Sequence, residues 1–69
     1  MGVAKVIEII GQSKNGWEDA ARQAVKVAST TIRHISGVEL KNFTADVDDD
    51  GNITNYRVDL HLVFRVEDE

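Results

Sequence analysis

The chain has 69 residues, with twelve acidic against eight basic side chains, a formal charge of −4 and no cysteine. That length makes one small domain, residues 1–69, and the acidic balance argues against nucleic acid, where a basic patch supplies most of the affinity. The missing cysteines exclude disulfides and thiolate metal sites, and no apolar run approaches the roughly 20 residues a membrane span needs. The start, "MGVAKVIEII", lacks the layout of a signal peptide. Met1-Gly2 begins like a myristoylation site, but Val6 stands where Ser or Thr is required. A soluble, cytoplasmic protein is expected.

Residues 3–10, "VAKVIEII", are rich in Val and Ile, stop at Gly11 and predict a first strand. "GQSKNG" at 11–16 consists of turn formers. Asn15 followed by Glu18 resembles a capping box, and Gly16 as cap with Asp19 three residues on is the competing register. From Trp17 the period changes. Ala20, Ala21, Ala24, Val25, Ala28, Ile32 and Ile35 recur at three- and four-residue steps, one face of an amphipathic helix. Glu18 and Asp19 in its first turn, and Arg33 and His34 in its last, suit the helix dipole. The face is mostly alanine, so the helix can sit close to whatever covers it.

Residues 38–47 predict a second strand with a change of face. Val38 and Leu40 are apolar at even positions, Phe43, Ala45 and Val47 at odd ones, so a bulge is required near Lys41-Asn42. Asp50-Gly51 is a strong hairpin signal. In "ITNYRVDLHLVFRV", residues 53–66, Tyr56, Val58, Leu60, Leu62, Phe64 and Val66 share one face. Arg57, Asp59, His61 and Arg65 share the other, with Val63 out of class. The fold class is α+β in the order β-α-β-β, a three-stranded antiparallel sheet packed on one helix. A chain this short buries only about 60% of its unfolded surface. With no disulfide, and no second layer on the sheet's other face, oligomerisation is the expected support.

These residues are similar to a known family. "KVIEIIGQS" followed by "GWEDAARQAV", and a closing "YRVDLHLVFRV", resemble a dodecin from about Lys5 to Val66. The resemblance implies a hollow homododecamer that binds a small molecule, typically flavin (riboflavin or FMN) in stacked pairs at subunit contacts, for storage or sequestration. Some members bind coenzyme A or hold metal ions on symmetry axes, and dodecins are not known as catalysts. In flavin-binding members a tryptophan two residues before a glutamate stacks on the ring. Here Glu39 matches that glutamate and Gly37 takes the tryptophan's place. The glutamine that follows the last-strand tyrosine contacts the ring edge, and after Tyr56 this chain has Arg57. Trp17 belongs to the helix opening and is no substitute. Gly37, Glu39 and Arg57 are therefore the candidate ligand-binding positions. A guanidinium can stack on a planar ring or bind phosphate.

Two further features compete with plainer explanations. Asp46, Asp48, Asp50 and Gly51 have the D-x-D-x-D-G spacing of a calcium loop, whose alternate carboxylates can converge on a hard cation. The twelfth position holds Arg57 where a bidentate glutamate is needed, so an acidic, solvated hairpin tip explains the same residues. Repetition round a symmetry axis could still build a calcium site that one chain cannot. The polar face of the last strand suits ion pairing, or the lining of a pocket or channel. His61 with the one neighbour Asp59 is a weak transition-metal signal. No nucleophile elbow, cysteine nucleophile or phosphate loop occurs, so no enzyme is predicted.

Overall fold

The computed structural model describes residues 2–66. Four elements follow one another: β1 (Val3–Ser13), α1 (Trp17–Ala28), β2 (Ile35–Val47) and β3 (Ile53–Val66). They form one three-stranded antiparallel sheet in the order β1-β3-β2. The last strand is therefore the central one, which accounts for its length and its clean alternation. Val58, Leu60 and Leu62 are fully buried beneath the helix and meet Ala20 there. Ile7 and Ile9 of β1 pack against that cluster beside Ala21, Ala24 and Val25 of the helix.

The helix approaches β1 closely because small residues face one another. A Cβ on Gly11 would lie 2.4 Å from the Ala20 carbonyl oxygen and 2.8 Å from Ala24 Cβ. No side chain fits there. At the N-terminus Gly16 is the cap, with φ 139°, a conformation that favours glycine. The Gly16 register holds, and the Asn15–Glu18 capping box does not form. No side chain caps the helix. Asp19 instead accepts hydrogen bonds from Ser13 Oγ and, at 2.8 Å, from Gln23 Nε2, which hold its carboxyl below the usual carboxylate range.

The helix stops earlier than its apolar spacing predicts. It ends at Ala28, not in a turn containing Arg33 and His34, and its last-turn cation is Lys26. Ser29 Oγ and Thr30 Oγ1 donate back to the carbonyls of Lys26 and Val27, each at 2.7 Å. Hydroxyls bonded in this way compete with helix continuation. Ile32 and Ile35 still reach the core, Ile35 as the first residue of β2. His34 has φ 66° and its carbonyl accepts the Arg65 amide at 3.0 Å, so it is no helix-dipole partner.

The predicted bulge is present: the register of β2 on β3 shifts between Leu40 and Asn42, with further irregularities at Ile35/Gly37 and Asp46/Val47. The helix lies over β1 and β3 and barely reaches β2. Val38, Leu40 and Phe43 consequently stay 41–53% exposed on the helix side of the sheet. Among the described residues no helix is long and apolar enough to cross a membrane.

Candidate functional site

The face of the sheet opposite the helix is uncovered and carries every polar residue of the β3 alternation. In cross-strand order, Gln12, Arg57 and Thr44 align at one end, and Glu8, His61 and Glu39 align further along. Gly37 lies opposite Val63 beyond them. A Cβ added at Gly37 would meet nothing within 4 Å. Glu39 makes a loose ion pair with Lys41, whose Nζ is 3.6 Å from Glu39 Oε2.

Arg57 shares this face but not this neighbourhood. Six positions of β3 separate it from Val63, the partner of Gly37, a distance of about 20 Å at the rise of an extended strand. Gly37 and Glu39 are thus together, and Arg57 is not brought to them within one chain. The Arg57 guanidinium is instead spent on Asp46. Its two terminal nitrogens donate to the two carboxylate oxygens at 2.7 Å each. The guanidinium holds the Asp46 carboxyl below its ordinary range, and the carboxylate raises Arg57 in turn.

The acidic hairpin does not gather its carboxylates in one chain. Asp48 Oδ1 accepts the backbone amides of Asp50 and Asn52 at 2.9 Å, and the Gly51 amide donates to the Asp48 carbonyl at 3.1 Å. This is a side-chain-stabilised turn of ordinary type. With Asp46 on Arg57 and Asp48 on the backbone, Asp46, Asp48 and Asp50 form no convergent ligand set among the described residues.

The set that does converge there is Glu8, Asp59 and His61. Glu8 is the one acid in the apolar run of residues 3–10. Its alternation put it on a face, but nothing in the chain announced that β1 would pair with β3 and so place it opposite His61. Trp17 has a structural role. Its indole Nε1 donates to the Thr44 carbonyl at 2.9 Å, and its ring meets Tyr56 edge-on at 4.8 Å between centroids.

The dodecin family model matches residues 3–67. The chain belongs to the dodecin family. It is 39% identical over 66 residues to the calcium dodecin of Mycobacterium tuberculosis, covering 96% of this chain and 92% of that protein. It is 33% identical to the dodecin of Thermus thermophilus over 66 residues, covering 96% and 94%. Among solved structures, the Streptomyces coelicolor dodecin superposes with a TM-score of 0.91 at 32% identity, covering 99% of this chain and 96% of that one. The M. tuberculosis calcium dodecin, described as calcium chelating with a novel calcium-binding site, superposes at 0.80 and 37% identity, covering 94% and 91%. The dodecin fold explains the open sheet face: a dodecin subunit alone has one helix for a sheet with two sides.

Proposed function

We propose that this dodecin is a binding and storage protein for a small molecule, assembled from twelve copies of the chain in the cytoplasm, with no catalytic role. Its ligand is flavin (riboflavin or FMN), held more weakly than in dodecins that carry the stacking tryptophan. Gly37 carries this reading: the position that resembles the tryptophan's lies on the uncovered face, beside Glu39, with free space beyond its Cα. An aromatic platform is worth on the order of 1–3 kcal/mol per ring, so its loss weakens binding by roughly one to two decades. Arg57 supplies no replacement within the chain because Asp46 holds both terminal nitrogens.

Titration of riboflavin fluorescence with the assembled protein tests this. Saturable quenching is expected, and Gly37→Trp tightens it by about five-fold or more, the lower bound of the stacking contribution. Full fluorescence at high protein excess in both proteins would exclude flavin. Coenzyme A, which shares a phosphate with FMN, is the competitor to include.

A second reading, calcium binding, is favoured by the 39% identity to a calcium dodecin. Within one chain Asp46 and Asp48 are already engaged, so a calcium site here needs carboxylates from several subunits. Calcium then raises the melting temperature and a chelator lowers it. No shift in either direction, with no calcium in the purified protein, excludes calcium and leaves, of this second reading, a purely structural dodecameric shell.

A further inference from the structure

On the uncovered face three ligand-capable groups meet on two hydrogen-bonded strands. Glu8 of β1 lies directly opposite His61 of β3, and Asp59 stands two residues before His61 on the same side of the strand. One donor atom from each lies within 4.8 Å of the other two. His61 Nε2 is 3.7 Å from Glu8 Oε2. That is too long for a hydrogen bond. It is close to the separation of about 3.4 Å between two ligands bound tetrahedrally at about 2.1 Å from one zinc ion.

A second, independent feature points into the same place. Asp59 Oδ1 is buried from solvent and has no hydrogen-bond partner, the one side-chain atom so placed among the described residues. Buried carboxylate oxygens are normally satisfied by a donor or a cation, and neighbouring Glu8 brings another negative charge rather than a donor of its own once ionised. Glu39, on the far side of His61, lies outside the cluster and is paired with Lys41.

We infer that Glu8, Asp59 and His61 form a three-ligand site for a divalent transition cation of the zinc class, its remaining position open to water. Two carboxylates and a neutral imidazole match the charge and the nitrogen–oxygen donor set of such an ion. Calcium suits the site poorly, because it takes six to eight oxygen ligands and this cluster offers few. β3 is hydrogen-bonded on both sides and β1 on one, so the ligands are held on rigid backbone. The bound ion ties β1 to the central strand.

The test uses the intact assembled protein, stripped with chelator and titrated with Co2+ as the spectroscopic probe. A visible d–d absorption saturating at one ion per chain is expected, bleached by Zn2+ and unmoved by an equal concentration of Ca2+. His61→Ala abolishes the band. Asp59→Asn weakens Co2+ binding by more than about ten-fold, the lower end of the effect of even outer-shell ligand partners. Circular dichroism and native mass confirm that the variants fold and assemble, and His61→Gln replaces His61→Ala if the latter does not. Absence of a d–d band in the parent protein, a band unchanged in the histidine variant, or displacement by Ca2+ at equal concentration overturns the inference. None of these readouts depends on flavin, so this site and the flavin reading fail or stand separately.

Discussion

Glu8 is exposed, yet its carboxyl is pushed above the usual carboxylate range, first by a hydrogen bond with Asp59 and then by the charge of Asp59, with His61 acting in the opposite direction. A raised carboxyl contributes stability that is full below its unfolded value near about 4.3 and is lost as pH rises through the folded value. In metal-free protein Glu8→Gln therefore raises the melting temperature at pH 7. The gain shrinks toward zero at about pH 4, where Glu8 is protonated anyway. A constant difference across that range would show that repulsion from Asp59 is not its source. Asp46 and Asp19 slope the other way. Arg57 lowers Asp46, and Ser13 and Gln23 lower Asp19. Their contributions are present above the ordinary aspartate value near about 3.9 and fade as pH falls through the depressed one. Residue identity alone announced neither behaviour. The spacing of Asp46, Asp48 and Asp50 suggested a cation loop, whereas the fold had already engaged Asp46 with Arg57 and Asp48 with the backbone.

Among the elements, α1 and β1 show how small residues set a spacing. Gly11 is buried under Ala20 and Ala24. Gly11→Ala drives a methyl group into a helix carbonyl. It should cost about 1–3 kcal/mol, as overpacking typically does, read as a lower denaturation midpoint with an unchanged slope. Stability equal to the parent would mean that the helix can shift outward freely. The alanine face of the helix was legible because burial at three- and four-residue steps is local information. Its end was not, since Ile32 and Ile35 continue the spacing while the hydroxyls of Ser29 and Thr30 turn back on the last carbonyls. The bulge at Lys41-Asn42 was legible because a change of apolar parity within a strand has few other solutions.

As a whole the subunit is elongated, with extents of 56 × 20 × 13 Å and a radius of gyration of 14.4 Å, against about 11 Å for a compact domain of this length. Its fully buried apolar side chains come down to Ala20, Val58, Leu60 and Leu62 among the described residues. Val6 and Ile10 stand 57% and 62% exposed on the uncovered face, and Phe43, which the helix meets only through the edge of the Trp17 ring, is 53% exposed. Apolar surface of that extent on a small chain calls for subunit contacts. Twelve chains of 7.7 kDa predict a native mass of about 92 kDa, with folding inseparable from assembly. A folded monomer or dimer at micromolar concentration would refute the dodecameric state.

Sequence alone determined which residues share a face. The alternation through residues 56–66, interrupted at Val63, the helical spacing after Trp17 and the Asp50-Gly51 turn are all properties of neighbours in the chain. Only the tertiary structure decided which faces meet. By making the last strand central, it set Glu8 of the first strand against His61 and Asp59, and it left Arg57 about 20 Å from Gly37. Periodicity is a local consequence of backbone geometry. Register between strands distant in sequence depends on how the whole core closes.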